Sequence, residues 1–283
     1  MMMTTKKKRR WPLTLLTVAV VLALAVLWFF WQQNGLKVQT VTIPAKGLPE
    51  AFDGLRIAHI SDLHGKEFGE DNGNLLAEVA QLNPDVIAIT GDLIDQKSQL
   101  EMIPALAKGL SAIAPTYYVT GNHEWPLHCV PELKQLLTDC GVRVLSNEYE
   151  RWEKNGATLA VAGIDDPNGP ADQKTGAELR EEIDADYTVL LAHRNSVSDY
   201  AGWGYDLVLC GHGHGGIFRI PLLDKGVLST ERTFFPEFDG GLYSFDGVLC
   251  FESRGLGSNT VPIHAFRLFN RPHLPLLILN SEE

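Results

Sequence analysis

The sequence contains few cysteines, and their number and spacing exclude two classes of protein. Only four occur in 283 residues, at positions 129, 140, 210 and 250. Their spacing matches no zinc motif, and four cysteines in a chain of this length do not form a disulfide scaffold. Cys210 and Cys250 lie in strand-like runs and are expected to be buried apolar residues. A Cys129–Cys140 bridge stays open for a domain outside the cytoplasm.

Positive charge is scarce after the first residues. The formal net charge is −11, and residues 1–31 hold five basic and no acidic residues. The remainder therefore carries 19 basic against 35 acidic residues, a net charge of −16. A nucleic-acid partner would need a basic face, so this balance argues against one. Phosphorylated substrates remain compatible, because bound divalent cations reverse the local charge.

One long apolar run stands near the amino terminus. Residues 12–31 carry no charge, follow a basic cluster at 6–10 and end in Trp28-Phe29-Phe30-Trp31. Twenty helical residues span roughly 30 Å, the thickness of the hydrocarbon core, and the basic flank places the amino terminus in the cytoplasm. We predict a basic cytoplasmic segment at 1–11, a transmembrane signal anchor at 12–31, a connector with an edge strand at 32–54, and an extracytoplasmic domain at 55–283.

Two alternatives to a signal anchor stay open. A cleaved signal peptide would need a small-x-small site, and none follows the apolar run. A twin-arginine export signal would use Arg9-Arg10-Trp11-Pro12-Leu13, in which the proline is atypical.

Strand and helix patterns alternate along much of the domain, without an internal repeat or a linker. The predicted strands are 55–60, 85–90, 116–120, 187–192 and 207–210, and the predicted helices are 74–82, 98–110, 131–140 and 178–184. Alternation indicates a parallel sheet with helices outside it. Asn155-Gly156 predicts a type I′ hairpin, and Pro275 predicts that a last strand at 273–279 lies at a sheet edge. We expect one α/β domain of two facing sheets flanked by helices.

Polar residues follow the predicted strands where each strand ends. They are Asp62 and His64, then Thr90-Gly91-Asp92, Thr120-Gly121-Asn122-His123-Glu124, Ala192-His193 and Gly211-His212-Gly213-His214. Each motif alone is typical of a turn or a flexible loop. Their occurrence in order, each after a buried strand, indicates one site at the carboxyl ends of the strands.

The residue types at these ends are metal ligands. The set combines carboxylate, amide and imidazole groups: Asp62, His64, Asp92, Asn122, His193, His212 and His214. Seven side chains exceed the needs of one ion that keeps positions open for water, so they favour two divalent ions sharing a carboxylate. The mixed oxygen and nitrogen set favours Mn²⁺, with Zn²⁺ or Fe²⁺ also compatible, over Mg²⁺ or Ca²⁺.

From about residue 55 onward, these five motifs resemble the signature blocks of the calcineurin-like metallophosphoesterases. Two further stretches, at 215–221 and 253–257, resemble the membrane-anchored bacterial branch related to UDP-2,3-diacylglucosamine pyrophosphatases. The chain departs from the pattern at Gly213, where Thr or Ala is usual, and at Ile217, where Gln is usual. Gly213 is not a ligand, whereas Ile217 bears on the local substrate contacts.

The resemblance implies a four-layer α/β/β/α fold and a role for each motif residue. Asp62, His64 and His214 would hold one metal ion, Asn122, His193 and His212 a second, and Asp92 would bridge them. A bridging hydroxide would attack phosphorus in line. His123 would face the substrate as the catalytic residue, stabilising charge or protonating the leaving oxygen, with Glu124 as a nearby carboxylate to orient it.

Residues outside the blocks offer candidate substrate contacts. Arg194 and Asn195 directly follow a ligand and could touch phosphate oxygens, or they form a surface pair. Four aromatic residues lie near the motifs in sequence: Trp125, Phe218, Phe234 and Phe235. They would either line an apolar substrate groove or belong to the hydrophobic core.

The sequence thus predicts a tethered hydrolase acting on a phosphodiester or pyrophosphate of lipid-linked or envelope origin. Its expected partners are that substrate and the membrane, and no nucleic acid. Two alternatives remain: a phosphodiesterase or nucleotidase for soluble substrates, and a non-catalytic, metal-stabilised envelope module. A binding module has no need of an unliganded histidine at position 123.

Overall fold

The computed structural model describes residues 11–258 and 266–281, and it begins with a long apolar helix. Helix α1, Trp11–Asn34, has 24 residues, or roughly 36 Å at 1.5 Å per residue. It is long and apolar enough to cross a membrane, and its most apolar stretch is not buried inside the protein. The basic segment predicted at 1–11 lies outside the described residues except for Trp11.

The elements after α1 alternate much as the sequence predicts. In chain order they are β1 (Lys37–Pro44), β2 (Arg56–Ile60), α2 (Gly73–Gln81), β3 (Val86–Thr90), α3 (Ile103–Ile113), β4 (Thr116–Val119), α4 (Val130–Asp139), β5 (Arg143–Val144), β6 (Glu148–Lys154), β7 (Ala157–Gly163), α5 (Gly176–Glu181), β8 (Tyr187–Leu191), α6 (Val197–Ala201), β9 (Leu207–Cys210), β10 (Arg219–Ile220), β11 (Lys225–Gly226), β12 (Gly241–Phe245), β13 (Val248–Glu252) and β14 (His273–Asn280).

These strands form two six-stranded sheets and one short hairpin. The first sheet has the order β1-β14-β2-β3-β4-β5, the second has the order β12-β13-β9-β8-β7-β6, and β10 pairs with β11. Strands β2 to β5 are parallel, as are β7, β8 and β9. The carboxyl ends of each parallel set therefore meet at one rim, where ligand sites form.

Three apolar cores separate four layers. Side chains from both sheets, including Ile57 and Val189, fill the core between them. Because successive side chains on a strand point to opposite faces, Ala58 belongs to a second core, under helices α2, α3 and α4. A third core packs α5 and α6 on the outer face of the second sheet. The predicted α/β/β/α fold is confirmed.

A local signal predicts the turn between β6 and β7 correctly, whereas α3 begins at Ile103, five residues after the predicted start at residue 98. Lys154 pairs with Ala157 across a two-residue loop, and Asn155 and Gly156 both have positive φ, as a type I′ turn requires. Pro104 lies in the first turn of α3, where its missing N–H costs no hydrogen bond.

Strand β14 is not at an edge, and this corrects the expectation drawn from Pro275. It lies between β1 and β2. Its pairing with β1 runs its whole length, but its pairing with β2 begins only at Leu276. Pro275 precedes the stretch paired with β2, so the missing N–H removes no bond from that ladder. The cysteines are all free, so Cys129 and Cys140 form no bridge, and Cys210 and Cys250 are buried as expected.

Candidate active site

The seven candidate ligands meet at the rim where the two sheets face each other. Loops after β2, β3 and β4 supply those of the first sheet, and loops after β8 and β9 supply those of the second. All but Asn122 are buried. Five of them have positive φ, between 50° and 70°: Asp62, His64, Asp92, His212 and His214. Positive φ is uncommon outside glycine, although Asp and His adopt it more often than most residues, and a cluster of such residues is typical of functional sites.

Two glycines make room for the carboxylates. A Cβ atom on Gly121 would lie 2.2 Å from Oδ1 of Asp92, and one on Gly211 would lie 2.3 Å from Oδ2 of Asp62. No side chain fits at such distances. Gly121 and Gly211 therefore each allow a candidate ligand from a neighbouring loop to approach the backbone closely.

The first ligand cluster consists of Asp62, His64 and His214. The Nε2 atoms of the two histidines lie 3.0 Å apart, and Nε2 of His214 lies 3.6 Å from Oδ1 of Asp62. The hydroxyl of Ser61 donates to the other oxygen of Asp62 at 2.6 Å. Oδ1 of Asp62 thus faces both imidazoles.

The second ligand cluster consists of Asp92, Asn122, His193 and His212. Nε2 of His193 lies 3.2 Å from Oδ2 of Asp92 and 3.0 Å from Oδ1 of Asn122. Nδ1 of His212 lies 3.3 Å from the same Nε2 atom. Four ligand atoms from four loops therefore lie close together.

Asp92 stands between the two clusters. Its Oδ2 atom is 3.2 Å from Nε2 of His193 in the second cluster and 3.7 Å from Nε2 of His64 in the first. Its Oδ1 atom accepts a hydrogen bond from the backbone N–H of His123 at 2.9 Å. One carboxylate oxygen is therefore held by the backbone, and the other is shared by both clusters.

The outer hydrogen bonds of two histidines set their tautomers. Nδ1 of His193 lies 2.8 Å from the carbonyl oxygen of Thr90, and Nδ1 of His64 lies 2.6 Å from Oδ1 of Asp95. Each acceptor holds a proton on Nδ1, so Nε2 is the ring atom that faces the carboxylate oxygens and is available to bind a cation. Metal-binding histidines have this arrangement, and the donor set fits divalent cations.

The charges of the site agree with that fit. Burial raises the pKa of Asp62, and the negative charge of Asp92 adds to the rise while histidines oppose it. Burial alone would lower the pKa of His193, but the carboxylate of Asp92 raises it to about 10. The buried carboxylates thus favour a positive charge at this place, which a divalent cation supplies.

Asp95, not Glu124, orients His123. Nδ1 of His123 lies 2.8 Å from Oδ1 of Asp95. The carboxylate of Glu124 instead accepts backbone hydrogen bonds from Leu93 at 2.6 Å, Gly121 at 2.8 Å and Asp92 at 3.2 Å. Glu124 therefore joins the loops after β3 and β4. The side chain of His123 is 30% exposed and its Nε2 atom lies 3.9 Å from Oδ2 of Asp92, at the open side of the site.

Arg194 and Asn195 have different surroundings. Nη1 of Arg194 lies 3.3 Å from Nε2 of His212, and its Nε and Nη2 atoms donate to the Asp166 carboxylate at 2.7 and 3.3 Å. Nδ2 of Asn195 donates to Oε1 of Glu252 at 3.2 Å. A phosphate contact therefore stays a prediction for both, and the position of Arg194 is the more favourable one.

The aromatic residues separate into two groups. Phe234 and Phe235 are exposed, at 70% and 57%, so they are not core residues. Trp125 is partly buried and donates to the hydroxyl of Thr120 at 3.2 Å. Phe218 is also partly buried.

Sequence reasoning missed three residues of the site. Asp95 follows Asp92 by three positions in the same loop. Asp166 follows β7 just as the candidate ligands follow their strands. Both residues could therefore have been predicted from their positions in the sequence. Arg267 carried none. It is buried, and its Nη2 atom lies 3.3 Å from Nδ1 of His214.

Comparison with known proteins agrees with this geometry. The model of the calcineurin-like phosphoesterase family matches residues 55–216. The chain is 32% identical over 273 residues to the uncharacterized metallophosphoesterase YkoQ of Bacillus subtilis, covering 90% of this chain and 97% of that protein. It is 31% identical over 228 residues to a transmembrane protein with metallophosphoesterase domain of Danio rerio, covering 74% of this chain and 52% of that protein.

A third relative has a named activity. The chain is 26% identical over 233 residues to phosphodiesterase YaeI of Escherichia coli, covering 79% of this chain and 82% of that protein. With the family match and the two ligand clusters, these likenesses identify the chain as a member of the calcineurin-like phosphoesterase family, a metallophosphoesterase.

Proposed function

We propose that this protein is a membrane-anchored, two-metal phosphoesterase whose substrate is a phosphodiester or pyrophosphate of a lipid-linked or envelope molecule. In this proposal α1 is not cleaved and anchors the protein in the membrane. Its amino terminus lies in the cytoplasm, and the candidate site lies outside the cytoplasm. The basic residues at 6–10 support that orientation. The motifs at 215–221 and 253–257 support a relationship to the UDP-2,3-diacylglucosamine pyrophosphatases.

The observation that carries the proposal is the contact between the end of α1 and the site. The side chain of Gln33 accepts from the backbone N–H of Arg267 at 2.9 Å and donates to its carbonyl oxygen at 2.6 Å. The guanidinium of Arg267 in turn contacts the ligand His214. A single residue therefore links the last turn of the apolar helix to the first ligand cluster.

A second link runs through Lys66. Its ammonium donates to the carbonyl oxygen of Gln33, and Lys66 lies two residues after the ligand His64. If α1 spans a bilayer, its carboxyl end lies at the water interface, and the ligands lie beside it. This position favours a phosphoester presented by the membrane over one that diffuses in solution.

Asp62, His64 and His214 would hold one divalent ion, Asn122, His193 and His212 would hold a second, and Asp92, which faces both clusters, would contribute to both. When bound, divalent ions lower the pKa of a water molecule and stabilise charge on phosphoryl oxygens. Mn²⁺ fits the mixed donor set best, and Zn²⁺ or Fe²⁺ are the alternatives. Asp95 holds the Nδ1 proton of His123, which leaves Nε2 at the open side to hydrogen-bond or protonate the leaving oxygen. Arg194 would contact a phosphoryl oxygen, with Asn195 as the weaker candidate.

The test uses the full chain in detergent, stripped of metal. Mn²⁺, Zn²⁺ or Mg²⁺ is added back separately, and hydrolysis of bis-p-nitrophenyl phosphate is compared with that of p-nitrophenyl phosphate. We expect metal-dependent turnover, faster on the diester, and its loss in Asp92→Asn. Turnover that survives in Asp92→Asn would contradict the bridging role.

The same preparation separates the alternatives. Good turnover of soluble diesters beside poor turnover of lipid-linked phosphoesters in vesicles would support the soluble-substrate phosphodiesterase. Two bound ions per chain with no turnover on either substrate would support the non-catalytic module.

A further inference from the structure

A set of apolar side chains beside the site lies exposed to solvent. We define the apolar edge as Leu222, Leu223, Phe234, Phe235, Phe266 and Phe269. Leu222 is fully exposed and Leu223 is 72% exposed. Single exposed apolar residues are common, but a group of large ones marks an interaction surface.

Ring contacts connect the apolar edge to α1. The ring centroids of Phe269 and Trp28 lie 5.2 Å apart, and those of Phe266 and Phe29 lie 6.3 Å apart. Phe266 also contacts Phe218, at 6.4 Å. Trp28 and Phe29 belong to the aromatic end of α1, where a spanning helix meets the membrane interface.

Backbone hydrogen bonds extend this connection to the β10–β11 hairpin and to the segment that contains Phe235. The N–H of Arg219 donates to the carbonyl oxygen of Leu268 at 3.1 Å, and the N–H of Val227 donates to that of Phe218 at 2.8 Å. The N–H of Phe235 then donates to the carbonyl oxygen of Val227 at 2.9 Å. The segments that bear the apolar edge therefore form one ladder that begins at α1.

Two ion pairs hold the turn that carries Leu222 and Leu223. The Asp224 carboxylate pairs with Arg219 at 3.0 Å and with Arg254 at 2.7 Å, and both arginines are buried. Leu222 has a φ of 73°, which is unfavourable for leucine. A strained, braced turn that presents two leucines to solvent indicates a surface with a partner.

We infer that the apolar edge inserts into the interface of the same bilayer that holds α1. The inference rests on the proposed membrane anchoring. Its occupant is the lipid surface because the edge is continuous with the aromatic end of α1. Arg271 supports this position, since its guanidinium lies 4.2 Å from the centre of the Trp31 ring and arginine suits the headgroup region. The edge would hold the ligand loop ending at His214 against the headgroups.

The first experiment measures depth with spin labels on the full chain in phosphatidylglycerol–phosphatidylethanolamine nanodiscs. A nitroxide is attached to the cysteine of Leu223→Cys. The control carries it at Glu153→Cys, an exposed position on β6, which is the edge strand of the second sheet at the other end from β12. Both variants carry Cys140→Ser, because the other native cysteines are buried. We expect the label at 223 to collide more with oxygen than with a water-soluble nickel complex, and the label at 153 to show the reverse. Equal, water-like behaviour at both sites would overturn the inference.

The second experiment tests what the insertion does. Leu222→Asp/Leu223→Asp should reduce hydrolysis of a phosphoester embedded in vesicles several-fold, mainly through a higher KM. Hydrolysis of soluble bis-p-nitrophenyl phosphate should stay unchanged, because both leucines are exposed and neither belongs to the candidate ligand set. An equal loss on both substrates, or no loss on vesicles, would count against the inference. If the wild type has no phosphoesterase activity, the proposed function fails, while the spin-label depths still decide the membrane contact.

Discussion

Oδ1 of Asp95 lies 2.8 Å from Nδ1 of His123, and the same oxygen lies 2.6 Å from Nδ1 of His64. Burial would raise the pKa of Asp95, but the bonds to His123 and His64 lower it to about 2. A single ionised carboxylate therefore orients both the candidate catalytic histidine and a candidate ligand, and couples their positions.

Replacing His123 should separate catalysis from metal binding. In His123→Ala we expect turnover of bis-p-nitrophenyl phosphate to fall by roughly 10²–10⁴-fold, the usual contribution of a positioned acid or base. Bound metal, measured by elemental analysis, should stay at the wild-type level because Nδ1 of His123 is bonded to Asp95. Loss of metal in parallel with activity would mean that His123 is a ligand.

Asp95→Asn should affect metal affinity and turnover together. The amide is a weaker acceptor for the N–H of His64, and such changes beside a ligand typically cost about 10–100-fold in metal affinity or activity. Metal titrations followed by activity measure both effects. Asp172→Asn, an exposed acidic residue, is the control and should behave like the wild type. Unchanged metal affinity in Asp95→Asn would refute the orienting role at His64.

Glu124→Ala should destabilise the fold. It leaves the backbone N–H groups of Asp92, Leu93 and Gly121 without their acceptor in a buried place, at about 1–3 kcal/mol for each unpaired group. We expect the free energy of unfolding by urea to fall by ~3–5 kcal/mol. Glu132→Ala removes an exposed partner of Lys97 and should change it by less than about 1 kcal/mol. A similar small change in both variants would show that Glu124 does not stabilise the loops after β3 and β4.

His59 should make the fold sensitive to acid. Burial lowers its pKa to about 3, whereas the unfolded chain has a value of about 6.5. The unfolded state therefore binds the proton first as pH falls below about 6.5, so stability is lost as pH falls toward 3. From pH 7 to pH 5 this residue should contribute a loss of ~2 kcal/mol in the free energy of unfolding.

His59→Gln removes the titration, and its amide can still bond the hydroxyl of Thr90, which lies 2.8 Å from Nε2 of His59. The difference in unfolding free energy between pH 7 and pH 5 should shrink by ~2 kcal/mol relative to the wild type. An identical pH dependence for both proteins would show that His59 is not a buried neutral group.

Metal removal should lower thermal stability. Ions that bind only the folded state stabilise it, by about 2.7 kcal/mol per site at one hundred times the dissociation constant. Adding Mn²⁺ to stripped protein should therefore raise Tm, and chelation should reverse the rise. Asp92→Asn should show a much smaller increase, because Asp92 serves both clusters. A Tm that is independent of metal in the wild type would refute the ligand assignment.

The sequence alone predicted the architecture, which the structure confirms, and the set of candidate ligands. Local patterns place strands, helices and the Asn155-Gly156 turn, because these depend on the spacing of apolar residues and on backbone preference. They also place a polar motif after each central strand. Parallel strands bring their carboxyl ends to one rim, so Asp62, Asp92 and His193 were predictable as neighbours before any distance was known.

Only the tertiary structure decided which atoms meet. The pairing of His123 with Asp95 instead of Glu124 depends on how two loops fold over the rim, which their short polar sequences do not encode. The contact of Gln33 with Arg267 joins residues 234 positions apart, and the central position of β14 likewise depends on long-range pairing. Spacing along the chain carries local information, whereas such contacts are set by how the two sheets and α1 pack against each other.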